Sequence, residues 1–221
     1  MNELLDNYDL FIFDLDDTLI KTEYYHYKSW LSVLKDELGS EFYIDYNKFC
    51  SKFHSNKENN IKTYLTNELC IQDCNKIMNN KNDYYLNLIN AEKHNIQLIK
   101  GAYELLTKII NNKKEFVIVS NSFKSNIVFF LELFPILKRS TKNYYREMFE
   151  FKKPNPECYL KVSGDFQNKR KVGFEDSITG IHSMITAGNI DTIFINNSNY
   201  YHYKYIKANY TIKYIIEDYC I

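Results

Sequence analysis

Leu10-Phe11-Ile12-Phe13 is an apolar run that breaks abruptly into Asp14-Leu15-Asp16-Asp17-Thr18-Leu19. An unbroken run of this length predicts a strand buried on both faces. In extended geometry Asp14 and Asp16 project to one side and Leu15 to the other. Beyond Leu19 the pattern changes. Trp30, Leu31, Val33, Leu34 and Leu38 recur at steps of three and four, with Gly39 placed to stop a helix. Ile61, Tyr64, Leu65 and Leu69 form a second helical stripe, and Tyr84, Tyr85, Leu88 and Ile89 a third. No Val/Ile-rich run interrupts residues 21–95, which predicts a helical insertion between the first strand and the rest of a sheet.

From Ile96 the period alternates. Phe116-Val117-Ile118-Val119, Lys171-Val172-Gly173-Phe174 and Thr192-Ile193-Phe194-Ile195 predict buried strands. Helices are expected after Gly101, over 125–133, from Asn155-Pro156 through Leu160, and over 177–187 with Gly188 as the stop. Residues 134–151 give only a short strand and a loop, and 210–216 a last short strand or helix. Strands spaced by helices predict a doubly wound parallel sheet, an α/β fold. Its core takes residues 1–20 and 96–221; the helical domain takes 21–95.

Length and composition narrow the class. The 221 residues suffice for one large domain, or one domain plus an insertion. Lys+Arg and Asp+Glu number 28 each, so the formal net charge is zero. That balance argues against nucleic acid or an anionic membrane as partner. The segment Tyr200-Tyr201-His202-Tyr203-Lys204-Tyr205 mixes aromatics with base and admits stacking on a single strand, but a packed C-terminal element is the expectation. Cys50, Cys70, Cys74, Cys158 and Cys220 are odd in number and loosely spaced. They read as free thiols of a reducing compartment, and no metal is expected at the Cys70/Cys74 pair. No membrane span or signal segment is evident, so a cytoplasmic protein is expected.

The candidate chemistry collects where predicted strands end. Asp14 and Asp16 would repel each other unless a cation lay nearby. Ser120-Asn121-Ser122 follows the second strand, where a hydroxyl and backbone N–H groups at a helix start can cradle phosphate; a plain turn and cap is the alternative. Lys152-Lys153-Pro154-Asn155-Pro156 holds a lysine in a stiffened loop, either a phosphate counter-charge or a solvated surface group. Glu175-Asp176-Ser177 supplies two acids, either capping groups or hard oxygen ligands for magnesium.

In that order the set resembles the four motifs of the haloacid dehalogenase-like superfamily, dominated by Mg-dependent phosphoryl-transfer enzymes. The similarity covers nearly the whole chain and is nearest the branch of β-phosphoglucomutases and small-molecule phosphatases. Asp14-Leu15-Asp16-Asp17-Thr18 resembles D-x-D-x-T. Lys153-Pro154-Asn155-Pro156-Glu157 resembles K-P-x-P-D. Residues Gly173 to Ile181 resemble G-x-E-D-S-x-x-G-I.

The resemblance implies a Rossmann-like core with an inserted α-helical cap that closes over the site. It implies Asp14 as nucleophile, forming an aspartyl phosphate, and Asp16 as general acid and base. Thr18, Ser120 and Asn121 would bind phosphoryl oxygens, and Lys153, rather than Lys152, would balance Asp14. Mg2+ would be held by Asp14, the Asp16 main-chain carbonyl and Asp176, with Glu175 as a ligand or as an acceptor behind the ligands. His26 and Lys81 match substrate-facing cap positions, although His26 is equally well a surface histidine beside a core tryptophan. Lys21 departs from the acidic residue of the mutases, and their arginine loop is not recognisable, though Lys57 lies in that region.

These expectations favour a phosphatase of a small phosphate ester, monomeric or weakly dimeric. A sugar-phosphate mutase is the runner-up, and a catalytically silent binding protein on the same fold is the alternative outside enzymes.

Overall fold

The computed structural model describes residues 2–54, 56–196 and 200–220. The strands are β1 (Leu10–Phe13), β2 (Glu115–Val119), β3 (Lys142–Tyr144), β4 (Lys171–Glu175), β5 (Asp191–Ile195) and β6 (Tyr214–Ile216). The helices are α1 (Asn2–Asn7), α2 (Glu23–Leu38), α3 (Tyr46–Lys52), α4 (Glu58–Asn67) and α5 (Cys74–Ala91). They continue with α6 (Ala102–Asn111), α7 (Lys124–Leu133), α8 (Glu157–Asp165), α9 (Ile178–Ala187) and α10 (Tyr200–Asn209). By compactness the chain divides into one unit of Met1–Lys21 with Gln97–Ile221, and a second of Thr22–Ile96.

The first unit is built on a six-stranded sheet in the order β3-β2-β1-β4-β5-β6, every pair parallel. This is the doubly wound sheet that the apolar runs predict. All four residues of β1 are fully buried, as a central strand covered on both faces requires. Leu10 and Ile12 pack with Val117, Val119, Tyr159, Val162 and Met184. On the opposite face Phe13 stacks on Phe174 at 4.6 Å between ring centres, and Tyr219 meets both edge-on or tilted. Gly173 keeps this packing tight, because a Cβ there would run into the Met184 thioether.

The strand order reverses between β1 and β4, and in such sheets ligands bind beyond the carboxyl ends at that crevice. Those two strand ends deliver Asp14, Glu175 and Asp176.

The second unit is helical. Trp30, Val33, Leu34, Phe49, Phe53, Ile61, Tyr64, Leu65 and Ile77 are buried together, with Trp30 packed on Phe53 at 4.3 Å. Gly39 stops α2 at a φ of 107°, which a side chain rarely adopts. Leu38, expected inward, is exposed because it closes the last turn of α2. The third stripe also narrows: Tyr85 and Ile89 are buried, while Tyr84 and Leu88 are only half covered.

Some boundaries differ from the sequence expectation. The helix expected from Asn155-Pro156 starts at Glu157 and runs on to Asp165, since Asn155 Oδ1 accepts from the Glu157 N–H at 2.9 Å and Pro156 stands at the cap. Within residues 210–216 the strand β6 takes only Tyr214–Ile216. Residues 200–205 begin α10, where Ile206 packs on Ile181 and Phe194; the side chains of Tyr200, Tyr201, His202 and Tyr203 lie outside the described residues. The five cysteines are free thiols. Among the described residues no helix is long and apolar enough to cross a membrane.

Candidate active site

The loop after β1 starts with the Asp14 N–H bonded to Phe174 O at 3.0 Å, which ties the first acid to β4. The chain then turns tightly. Leu19 and Ile20 donate to Leu15 O, Asp17 donates to Ile20 O at 2.7 Å, and Asp17 takes a left-handed φ of 54°. Short acidic side chains are among the few non-glycine groups that tolerate this conformation. The turn leaves Asp14, Asp17 and Thr18 buried and Asp16 half-buried. Thr18 Oγ1 donates to Asp176 Oδ1 at 3.1 Å.

Lys153 enters from the loop before α8, through a cis Lys153–Pro154 peptide. Its ammonium donates to Asp14 Oδ1 at 2.6 Å, to Glu175 Oε1 at 2.5 Å and to the Val119 carbonyl at 2.8 Å. Three donors meet three acceptors, so the buried cation is fully satisfied. Burial pulls the Lys153 pKa down, but Asp14 and Glu175 outweigh it and raise it above the ordinary lysine value. Lys152 stays half-buried, which separates the two lysines that the sequence leaves as rivals.

The serine loop after β2 is joined to the same centre. Ser122 Oγ donates to Asp16 Oδ2 at 2.6 Å, and Ser120 Oγ lies 3.4 Å from the same oxygen. The Asn121 side chain pairs with the Lys153 backbone, accepting from its N–H at 3.1 Å and donating to its carbonyl at 3.4 Å. Asn121 therefore clips the two loops together with its side chain.

At the end of β4, the cap of α9 is Ser177, whose Oγ accepts from Gly180 N at 3.0 Å. This leaves Glu175 and Asp176 unneeded as capping groups. Glu175 is fully buried; its Oε1 also accepts from Tyr159 OH at 2.6 Å and its Oε2 from Ser177 Oγ at 3.1 Å.

Charge is unbalanced here. Carboxylate oxygens of Asp14, Glu175 and Asp176 lie within 4.8 Å of one another, a grouping able to hold a metal ion. Burial pushes Asp14 well above the usual carboxylate range; Lys153 opposes this, while Glu175 and Asp16 add to it. Asp176 is raised well above that range too, by burial and then by Asp14, Asp17 and Glu175, with the Thr18 hydroxyl opposing. One ammonium cannot neutralise this set, so the donor chemistry suits a hard divalent cation.

Of the residues singled out from sequence, Asp14, Asp16, Thr18, Ser120, Asn121, Lys153, Glu175 and Asp176 gather at the strand ends of the first unit. His26 and Lys81 belong to the second. There Lys81 Nζ lies 2.7 Å from His26 Nδ1, and His26 stacks on Tyr85 at 4.2 Å. Ser122, Ser177 and Tyr159 also belong to the site, and the sequence pattern gives them no role. Ser122 and Ser177 lie inside its motifs. Tyr159 carried no signal beyond an aromatic two residues past Glu157.

A parallel sheet with an acid-lined crevice at its point of reversal defines an α/β enzyme-type core. The family model for haloacid dehalogenase-like hydrolases matches residues 11–195, and the chain belongs to that family. No curated protein matches the chain. Among solved structures, it resembles a family IA variant 3 HAD hydrolase from Entamoeba histolytica, at 24% identity and a TM-score of 0.80, over 96% of this chain and 93% of that one. A β-phosphoglucomutase from Clostridium difficile is similar at 22% identity and a TM-score of 0.74, over 96% and 91%. A HAD family hydrolase from Deinococcus radiodurans, solved with bound phosphate and sodium, is similar at 19% identity and 0.71, over 96% and 92%. At these identities the likeness is one of fold.

Proposed function

We propose that the chain is a Mg-dependent phosphatase of a small phosphorylated metabolite, working through an aspartyl phosphate on Asp14. The observation that carries this reading is the buried contact of Lys153 with Asp14, beside Asp176. With Oδ1 held by Lys153, Asp14 attacks phosphorus through its other oxygen, and the bond from phosphorus to the leaving oxygen breaks. Asp16 gives its proton to that leaving oxygen. Water then attacks the phosphoryl group and gives its proton to the Asp16 carboxylate, freeing Asp14 and inorganic phosphate.

Ser120, Thr18 and the Asn121 N–H bind phosphoryl oxygens. Asp14, Asp176 and the Asp16 carbonyl would hold Mg2+, which would supply positive charge against the phosphoryl oxygens. The helical unit serves as the cap, and His26 and Lys81 are its substrate-contacting pair. A cytoplasmic monomer or weak dimer is part of the same reading.

The test is phosphate release from p-nitrophenyl phosphate. Release should stop on addition of EDTA and in Asp14→Asn. Activity that survives in Asp14→Asn removes the nucleophile from the scheme.

The His26–Lys81 pair favours a second reading, a mutase similar to β-phosphoglucomutase. It predicts glucose 6-phosphate from β-glucose 1-phosphate with little free phosphate. No turnover on a broad phosphoester panel, together with no Mg2+ binding, would instead indicate a binding protein.

A further inference from the structure

Glu175 stands beside Asp176 in sequence and within reach of Asp14, which makes it a third candidate ligand for a divalent cation. Its hydrogen bonds point elsewhere. Oε1 accepts from both Lys153 Nζ and Tyr159 OH, and Oε2 accepts from Ser177 Oγ. Gly180 closes the remaining side, because a Cβ there would fall on the carboxylate itself. No surface of Glu175 is exposed to solvent. A carboxylate engaged at both oxygens, inside a wall of protein, is poorly placed to bind a metal without breaking bonds to a buried ammonium and a buried phenol.

Of these partners Tyr159 also meets Lys153. It lies on α8, one turn after the loop that carries Lys153, and is itself fully buried. The Lys153 ammonium sits 5.0 Å from the centre of its ring, so one side chain touches both members of the Lys153–Glu175 pair. Its hydroxyl donates to Glu175 Oε1, the same oxygen that accepts from the Lys153 ammonium.

We infer that Tyr159 is a positioning residue: its phenol, with Ser177, fixes Glu175 as the counter-ion of Lys153 and keeps it out of the divalent-cation site. The inference rests on the proposed function, since it assigns Lys153 and the cation to the phosphoryl-transfer site. Asp14 and Asp176 are then the carboxylates that bind the cation. Tyr159 acts only through Glu175 and Lys153.

Three measurements on the full chain test it. The first is Mn2+ affinity by calorimetry without substrate, for wild type, Asp176→Asn, Glu175→Gln and Tyr159→Phe. Asp176→Asn, which removes a ligand, should lose at least about tenfold more affinity than Glu175→Gln, whose charge acts from behind the ligands, and Tyr159→Phe should lose less than either. A loss in Glu175→Gln as large as in Asp176→Asn makes Glu175 a ligand and overturns the inference.

The second is steady-state kinetics with p-nitrophenyl phosphate. Tyr159→Phe should lower kcat about tenfold with KM within twofold, since Lys153 is misaligned while substrate binding is intact. An unchanged kcat overturns the inference. The third uses wild-type protein alone and covers the case in which Tyr159→Phe fails to fold. A buried phenol donating at 2.6 Å should give a downfield hydroxyl proton that exchanges slowly with water and shows cross-peaks to the Tyr159 ring, which separates it from the hydroxyls of Tyr144 and Tyr219. Its absence overturns the inference. If the wild type binds no Mn2+ and releases no phosphate, the proposed function itself fails, a result separate from any difference among variants.

Discussion

Lys153 Nζ reaches Asp14 Oδ1 at 2.6 Å across 139 positions of sequence, and both groups are buried. Removing one partner of a buried ion pair leaves an uncompensated charge, which costs more than the pair contributes. Lys153→Met should therefore destabilise the chain by about 3–5 kcal/mol in denaturant unfolding. Adding Glu175→Gln to Lys153→Met should recover part of that loss, because the stranded acid is gone. If the double variant is less stable than the single one by the full cost of Glu175→Gln alone, the two side chains are not coupled.

Ser122 Oγ holds Asp16 Oδ2 at 2.6 Å, so the proposed acid/base has an orientation set by the neighbouring loop. Ser122→Ala should cost about tenfold in kcat, the order expected for losing one hydrogen bond to a charged group. Ser122→Thr keeps the hydroxyl and should recover most of the rate. Equal rates in the alanine and threonine variants would show that loop shape, not the hydrogen bond, matters. Thermal melting of both variants separates this from a loss of folded protein.

These two relationships differ in how far the sequence announced them. Asp14 and Asp176 stand in short patterns at the ends of apolar runs, and Lys153 stands before a Pro-x-Pro loop, so local order betrays them. The sheet was legible for the same reason: buried parallel strands are continuous apolar runs, and helices separate them. The bond of Ser122 to Asp16 spans 106 positions and that of Tyr159 to Glu175 spans 16. Neither is periodic, and both depend on how separate elements converge: two loops for Ser122 and Asp16, and helix α8 with the end of β4 for Tyr159 and Glu175. The role of the Asn121 side chain is equally hidden, because its partner is the backbone of Lys153. Helix ends slipped by a residue or two wherever a side-chain bond such as that of Asn155 moved the start.

Gly180 marks the point where α9 passes against the Glu175 carboxylate. Gly180→Ala would put a methyl group where the carboxylate lies, and neither the helix backbone nor the fully bonded acid has room to retreat. Destabilisation of about 1–3 kcal/mol is expected, despite the higher helix propensity of alanine. Combining it with Glu175→Ala should relieve the clash, so that Gly180→Ala costs less in that background. A neutral or stabilising Gly180→Ala would mean that α9 lies further from the Glu175 carboxylate.

The opposite end of the sheet offers a pH test independent of catalysis. Asp9 accepts from the Arg170 backbone N–H at 3.1 Å and from its Nε at 3.3 Å, with Lys114 Nζ at 3.4 Å. The Arg170 bonds hold the Asp9 carboxyl down from its ordinary 3.8 to about 2. A folded-state pKa below the unfolded one means that the stabilisation is fully present above pH ~4 and is lost as pH falls toward ~2. Asp9 is more than a third exposed. After solvent screening its share is about 1 kcal/mol or less. Asp9→Asn should flatten the acid limb of the stability curve within that window and leave the curve above pH 5 parallel to wild type.

The crowding of Asp14 and Asp176 makes a prediction about cation removal that needs no substrate. Burial and neighbouring carboxylates raise both pKa values, so without a cation these acids compete to hold protons. Proton binding there opposes cation binding, and divalent affinity should weaken as pH falls. A cation that binds only the folded chain at a hundred times its Kd adds about 2.7 kcal/mol, which for a chain of this size is a rise in Tm of roughly 5–10 °C. EDTA should reverse that rise. Asp176→Asn removes one of the repelling carboxylates, so it should melt higher than wild type in EDTA yet gain almost nothing from added Mg2+. The two effects have opposite signs in one variant, a combination that general loosening of the fold cannot produce. A wild-type Tm that is the same in Mg2+ and EDTA would leave the cluster of acids without the counter-charge its geometry calls for.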